Sequence, residues 1–280
     1  MKKITIGMAM AVILFHTATE GDSTFVHLEY QHVDFDHSKQ KRNGRNVVAH
    51  IGLDRGDSLY EAAYTRTDRK TFQPPLPENL KVDKYYLKYT YRYTQKWSLG
   101  ATFATINDNL AHEVDNGRIY GLFVSYDRWK LSQYISDYKH FNVYQTDLKY
   151  SYSHAFGSLK TGLNLIGKYI HLQDKESNAF SVHARSDYFT PGIMLHMGYA
   201  GWHAGLGGFV GKRTFAVMHD GFGVQHHAME FDRTVMFALG KKVGGADITL
   251  KYLSMRATEL AISNPDVTVK SVILSVGYRF

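Results

Sequence analysis

The sequence contains no cysteine, only five prolines, and no long apolar run beyond its first residues. The absence of cysteine excludes disulfide bonds, thiolate metal sites, cysteine nucleophiles and the modified cysteine of a bacterial lipoprotein. Few prolines and no low-complexity tract argue against a disordered chain. No stretch after residue 22 approaches the 18 or so consecutive apolar residues of a transmembrane helix, so none is expected in the mature chain.

The first residues, MKKITIGMAMAVILFHTATEGD, predict a secretory signal peptide. Two lysines precede an apolar run from Ile4 to Phe15, and small residues follow around Ala18. Such a run is too short to cross a membrane as a helix. We expect cleavage after Ala18, or as late as Gly21. Residues 1–18 are then the leader, and residues 19–280 are a single exported domain.

Aromatic residues make up 14% of the chain, with 20 tyrosines, and most lie in runs where apolar and polar residues alternate. In KYYLKYTYRY, residues 84–93, Tyr85, Leu87 and Tyr89 share one parity, and Lys84 and Lys88 share the other. Successive side chains of a strand point to opposite faces, so each run predicts a strand with one apolar and one polar face. Fourteen runs of about 10 residues are found, which is the length of a tilted membrane strand. The seventh run, around Leu131, is weak, which leaves twelve strands as the alternative.

The links between these runs alternate between short and long. Tight turns such as RGD (55–57), TQK (94–96) and AFG (155–157) are separated by longer links such as HSKQKRNGR and KRTFAVMHDGFGVQHHAME. A closed antiparallel barrel with short periplasmic turns and long outer loops produces this alternation. Closure is required because lipid offers no partner to an unpaired backbone amide. The sequence leaves open whether a long link, such as the one after Thr67, enters the barrel.

Aromatic residues also gather beside the tight turns. Tyrosine and tryptophan favour the headgroup layer of a membrane, where the ring is apolar and the tip is polar. The residues predicted to lie at this interface are Tyr93, Trp97, Tyr126, Trp129, Tyr199 and Trp202.

The last ten residues, SVILSVGYRF, complete the pattern, and the chain resembles the Gram-negative outer-membrane β-barrel proteins over nearly all of its mature length. In that class the last strand commonly ends on phenylalanine with apolar residues at alternate positions, and it is the signal for the barrel assembly machinery. Phe280, Tyr278, Val276 and Leu274 fit that signal. The resemblance implies a bacterial outer-membrane location, contact with membrane lipid and lipopolysaccharide, and assembly by that machinery. It does not identify a family, because porins, specific channels, phospholipase-like enzymes and omptin-like proteases share these features.

A barrel of fourteen strands is wide enough to hold water, and the polar parity of the runs predicts its lining. Basic side chains outnumber acidic ones there, and such charges require a hydrated interior. The sequence therefore favours a porin-like channel for small hydrophilic solutes, with a mild preference for anions. The alternative is that the lysines pair with acids across strands and stiffen the wall. The predicted pore-lining residues are Lys84, Lys88, Arg92, Lys149, Lys160, Lys168, Lys251, Glu29, Glu61 and Asp147.

Other functions are less well supported by the sequence. His219, His226 and His227 lie together in one long link, which raises the alternative of a metal-linked uptake or binding protein with a histidine-rich outer loop. A hydrolase is a further alternative, with His112 beside Glu113, but no nucleophile motif is present. The net charge of +7 is modest and the basic residues are scattered, so no nucleic-acid partner is expected. No cofactor is expected.

Overall fold

The computed structural model describes residues 22–175 and 184–280, and most of them form antiparallel strands. Fourteen strands form one closed barrel, and two short strands form a separate hairpin, β12 (Val217–Met218) and β13 (Gly223–Val224). The predicted signal peptide lies outside the described residues and stays a prediction. The barrel strands are β1 (Ser23–Asp36), β2 (Lys41–Arg55), β3 (Ser58–Thr71), β4 (Leu80–Arg92), β5 (Trp97–Asp108), β6 (Arg118–Tyr126), β7 (Trp129–Asp137), β8 (Phe141–Phe156), β9 (Leu159–Asp174), β10 (Asp187–Tyr199), β11 (Trp202–Arg213), β14 (Met229–Val243), β15 (Ala246–Glu259) and β16 (Asn264–Arg279).

Closure of the barrel is made by the first and last strands. Each barrel strand pairs with its neighbour along the chain, β11 pairs with β14 across the hairpin, and β1 pairs with β16. At this seam Phe25 lies opposite Arg279, and Asp36 lies opposite Thr268. The predicted closed barrel is confirmed, with fourteen strands rather than twelve. Within the described residues, no helical segment has the length and hydropathy of a membrane span.

Strand lengths differ from the predicted ten residues. They run from 9 residues in β6 and β7 to 16 residues in β8, β9 and β16. Much of the sequence predicted as long links is therefore strand: β2 begins at Lys41, inside the predicted link HSKQKRNGR. The extra length lies at the long-link end, where the wall continues past the apolar belt.

The weak seventh run is a genuine strand whose apolar pattern is interrupted by one polar pair. Gln133 occupies an outward position of β7, where its neighbours Leu131 and Ile135 are exposed hydrophobic residues. Thr146 of β8 lies opposite Gln133 and donates a hydrogen bond of 2.6 Å from Oγ1 to its side-chain oxygen. Because the amide oxygen has this partner, the polar side chain is tolerated on the apolar face.

The outer face of the barrel is an apolar belt. Leucines of several strands are about half exposed or more, among them Leu28 (55%), Leu122 (68%) and Leu250 (54%). A continuous exposed apolar surface of this extent requires an apolar surrounding, as lipid provides. The six predicted interface aromatics are exposed at the tight-turn end of this belt. They pair across strands there: Trp97 and Trp129 both lie opposite Tyr126, and Tyr199 lies opposite Trp202.

Candidate functional site in the barrel lumen

The predicted pore-lining residues have the inward parity of their strands. Lys84, Asp147 and Lys168 are buried inside the barrel. Lys160 differs from the others because it lies beside the β8–β9 turn and is exposed. The remaining six are partly buried: Glu29, Glu61, Lys88, Arg92, Lys149 and Lys251.

Many of these charges form ion pairs with one another or with other acids of the wall. Lys168 lies 2.5 Å from Asp147 on the neighbouring strand. Lys88 and Glu61 also lie on neighbouring strands, with a nitrogen to oxygen distance of 3.5 Å. In two further pairs the partners are separated by one intervening strand. These pairs are Lys251 with Glu29 at 3.2 Å, and Arg92 with Asp54 at 2.8 Å. The pairing of lysines with acids across strands, which the sequence left as an alternative, is therefore present in the lining.

The interior is not open along its whole length, because the link between β11 and β14 folds into it. We call residues 214–228 the lumen segment. It contains the hairpin of β12 and β13, joined by a turn at His219–Gly221. The expectation of a histidine-rich outer loop was wrong for this segment, since its backbone binds side chains of the barrel interior.

A bulge at Gly211 lies just before the point where the chain leaves the wall. This residue has a φ of +87°, and the pairing of β11 with β14 shifts register between Val210 and Arg213. A Cβ at this position would lie 2.6 Å from the carbonyl oxygen of Phe189, so only glycine fits without strain. Bulges of this kind bend a strand, and this one precedes the departure of the chain from the wall.

Wall side chains bind the backbone of the lumen segment directly. Gln145 makes two hydrogen bonds with Val217: its amide nitrogen donates to the carbonyl oxygen at 2.8 Å, and its oxygen accepts from the backbone N–H at 2.8 Å. Lys168 also donates to the Val217 carbonyl, at 3.1 Å, and Lys84 donates to the Val224 carbonyl at 2.9 Å. Both strands of the hairpin are thereby fixed to the barrel, on opposite sides of its turn.

The turn of the lumen segment carries Asp220 towards two lysines of the wall. Its carboxylate oxygens lie 3.5 Å from Lys130 Nζ and 3.4 Å from Lys149 Nζ. Lys130 is the second residue of β7, beside the interface residue Trp129, so the segment reaches towards the tight-turn end. Burial alone would raise the pKa of Asp220, but Lys130, Lys149 and Lys88 outweigh it and hold the pKa at about 2. Asp220 is therefore a stable carboxylate shared by two cations.

An apolar core surrounds the outer part of the lumen segment. Phe215, Ala216, Val217 and Val224 are buried in one cluster with side chains of β3 to β10 and of the links between them. Nearer the turn, Phe222 packs against His50 with ring centroids 4.6 Å apart. The sequence pattern did not predict these inward apolar residues, which remove part of the lumen from water. The wall residues of this core include Tyr86, Ala104, Ile106, Ile119, Tyr134, Tyr138, Phe141, Val143 and Ile170.

The three histidines singled out in the sequence do not form one cluster. His226 and His227 lie together at the end of the lumen segment, and both place Nε2 against Oδ2 of Asp108, at 3.0 and 3.2 Å. His219 lies apart from them in the turn, where it lines the remaining cavities. Asp108 ends β5 and is 118 residues from His226, so no local sequence signal joins them.

Two cavities flank the lumen segment. One, of about 320 Å³, is lined by Lys130, Asp147, Lys149 and Lys168 together with Asp220. The other, of about 230 Å³, lies towards β1 to β4. Residues common to both linings are Met194, Phe209, Met218 and His219. Charged and polar walls therefore border free space on both sides of the segment. The second lining includes Glu29, Gln31, Asn46, Lys84, Arg213 and Thr234.

Comparison with known proteins gives similarity of fold without similarity of sequence. No protein-family model and no curated protein matches the chain. Among solved structures, the Acinetobacter baumannii outer membrane protein Omp33 has a TM-score of 0.50 at 10% identity, over 92% of this chain and 99% of that one. A bacterial polysaccharide outer membrane secretin has a TM-score of 0.57 at 9% identity, over 92% and 98%. The Pseudomonas putida toluene transporter TodX has a TM-score of 0.50 at 10% identity, over 95% and 90%.

The closed fourteen-stranded sheet and these similarities define the fold. The chain is a closed antiparallel β-barrel with an apolar outer belt, and its fold is similar to that of these outer-membrane proteins. The barrel encloses the lumen segment, which is fixed to the wall at both of its strands and at its turn.

Proposed function

We propose that the protein is a channel for small hydrophilic solutes in which the lumen segment sets the size limit. The observation that carries this proposal is the pair of cavities with charged linings on either side of the segment. Charged groups inside a barrel must be hydrated or paired, and the charges that border these cavities have free space beside them for water. The toluene transporter TodX shares the fold, but charged cavities favour a hydrophilic solute over an apolar one.

We further propose a mild preference for anions. Asp220 is one carboxylate shared by Lys130 and Lys149, which leaves an excess positive charge beside the larger cavity. Arg213 lines the smaller cavity, and it forms no ion pair with a carboxylate in the described part of the chain. Arg213 binds the hydroxyl group of Thr234, so its charge is not neutralised directly. An excess of fixed positive charge along a pathway raises the local concentration of anions.

The hydrolase alternative gains no support from the arrangement of its candidate residues. His112 and Glu113 lie in the link between β5 and β6, at the long-link end of the barrel. Glu113 accepts a backbone hydrogen bond there from Lys139. We therefore propose a channel rather than an enzyme.

Single-channel recording in planar bilayers tests the channel. Residues 217–224 can be replaced by two glycines, because the flanking residues Ala216 and Gln225 are already joined by a backbone hydrogen bond of 2.9 Å. We expect small conductance steps from the natural protein and steps several-fold larger from this variant. A matched control shortens the β3–β4 link by removing residues 73–78. We expect its conductance to equal that of the natural protein.

Two outcomes would contradict the proposal. If neither the natural protein nor the shortened variant gives conductance steps, the barrel is not a channel. If both give the same steps, the lumen segment does not set the size limit. Reversal potentials in a KCl gradient test the anion preference: replacing Lys130 and Lys149 by glutamine should reduce it, and Lys96→Gln in an exposed tight turn should not.

A further inference from the structure

The base of the lumen segment contains three metal-ligand atoms that converge on one point. One ligand atom each of Asp108, His226 and His227 lies within 4.8 Å of the other two. Oδ2 of Asp108 is 3.0 Å from Nε2 of His226 and 3.2 Å from Nε2 of His227. The Asp108 side chain has no exposed surface, that of His226 is 5% exposed, and that of His227 is 20% exposed. The cluster is thus enclosed, with His227 on its accessible side.

The carboxylate of this cluster is held in place by backbone groups. Oδ1 of Asp108 accepts hydrogen bonds from the N–H groups of Leu110 at 2.8 Å and Ala111 at 2.9 Å. This leaves Oδ2 directed at the two imidazoles. Hydrogen bonds of this kind orient the carboxylate ligands of metal sites.

Two buried lysines lie near the imidazoles. Lys84 is close enough to His226, and Lys41 to His227, for their positive charges to act on the rings.

The orientation of His226 is compatible with metal binding. Its Nδ1 lies 3.4 Å from the carbonyl oxygen of Val224. Its Nε2 lies 3.0 Å from Oδ2 of Asp108, the distance of a hydrogen bond between the ring and the carboxylate. A metal ion bound by these two atoms takes the place of the proton between them, because metal binding releases protons from its ligands.

We propose that Asp108, His226 and His227 bind one divalent transition-metal ion of the zinc class, through Oδ2 and the two Nε2 atoms. Two imidazoles and one carboxylate suit Zn²⁺, Cu²⁺ or Ni²⁺ better than Mg²⁺ or Ca²⁺, which prefer oxygen ligands. Lys41 and Lys84 repel any cation, which further disfavours ions that bind imidazole weakly. The bound ion joins the wall at β5 to the base of the lumen segment. This site is independent of the channel proposal.

Metal titration of the purified full-length barrel, stripped with a chelator and held in detergent, tests the site. With zinc chloride as the probe, calorimetry should detect one ion per chain. His226→Ala should weaken binding by at least about 10-fold, as loss of a ligand costs no less than loss of an outer-shell partner. His219→Ala is the matched control, since this histidine lies in the same segment but outside the cluster, and it should bind zinc as the natural protein does.

A spectroscopic readout separates loss of ligands from loss of fold. Cobalt in place of zinc should give visible absorption bands of a site with nitrogen and oxygen ligands, and His227→Ala should change them while the barrel still runs as a folded species in unheated gels. The proposal is overturned if the natural protein binds no zinc or cobalt beyond that of the His226→Ala, His227→Ala double variant. It is also overturned if His219→Ala removes binding equally. Conductance is measured separately, so failure of the metal site leaves the channel proposal standing or falling on its own data.

Discussion

The outer and inner faces of this barrel follow different rules. Outward positions obey a single condition, contact with lipid, so they are apolar almost throughout, and the polar pair of Gln133 and Thr146 satisfies itself by hydrogen bonding. Inward positions meet water, an opposing charge or the lumen segment, depending on their height and strand. Lys168 and Tyr134 are both buried inward residues, yet one pairs with Asp147 and the other packs in an apolar core. The outer face thus follows a repeating apolar pattern, whereas each inward side chain is determined by its own contacts.

The largest expected effect tests the requirement that outward positions be apolar. Leu122→Arg places a charge at the centre of β6, where the natural side chain is 68% exposed to the belt. We expect the free energy of unfolding to fall by about 2–4 kcal/mol, because arginine near the bilayer midplane has no partner. Urea unfolding in lipid vesicles measures this. The matched variant Asn164→Arg faces the larger cavity and should cost much less. Equal losses would show that the two faces are not solvated differently.

A smaller effect tests how the inner face holds the lumen segment. Gln145→Leu removes the partner of the Val217 N–H, which is buried. Leaving a buried donor unpaired costs about 1–3 kcal/mol, so docking of the segment should weaken by that amount. Amide hydrogen exchange at Val217 should accelerate accordingly. Gln133→Leu makes the same change on the lipid face and should leave exchange at Val217 unchanged. Unchanged exchange in Gln145→Leu would mean that the apolar core alone holds the segment.

The smallest effect concerns charge within the lumen. Asp220→Asn leaves Lys130 and Lys149 without their shared carboxylate, so the reversal potential in a KCl gradient should shift towards that of a more anion-selective channel. The exposed residue Asp266, at the long-link end, provides the control variant Asp266→Asn, which should show no shift. A shift in the opposite direction would contradict the assigned role of Asp220.

The same carboxylate gives a dependence on pH. Its pKa is lowered to about 2 in the folded protein, below its ordinary value of about 3.9. A lowered pKa means that Asp220 stabilises docking of the lumen segment fully above pH 4, and that this contribution is lost as the pH falls through about 2. Hydrogen exchange at the turn should therefore be constant from pH 7 to 5 after correction for the intrinsic rate. In Asp220→Asn the acid-dependent part should be absent.

Much of the fold could be predicted from the sequence because outward side chains meet one condition, contact with lipid, and this condition is visible in each short run of residues. Parity along each run identified the strands, and short links identified one end of the barrel. Even the weak run around Leu131 proved to be β7. Strand ends were less predictable, because β-structure continues beyond the lipid belt, where apolar alternation is no longer required.

The candidate site could be predicted only in part. Inward charges such as Lys84 and Asp147 were evident from the parity of their positions. Their partners were not, because parity tells which face of the sheet a side chain occupies but not which residues lie beside it at the same height in the barrel. The inward path of the lumen segment was missed because Phe215 and Val217 have the spacing of a continuing strand. Gly211 and Gly221 were the available signals of a departure from the wall. Asp108 was missed as a partner of His226 because only the closed barrel brings them together.

The seam between β1 and β16 has a consequence for assembly. Phe25 meets Arg279 there, so the wall is complete only after nearly the whole described chain has been gathered. Strands this distant along a chain pair slowly, because closing the large loop between them costs conformational entropy before their contacts can compensate for it. The lumen segment, encoded shortly before the last strands, can then dock onto an open, curved sheet before the two edges meet. In this order of events, β1 and β16 pair after the lumen segment has docked, and the segment does not have to enter a barrel that is already closed.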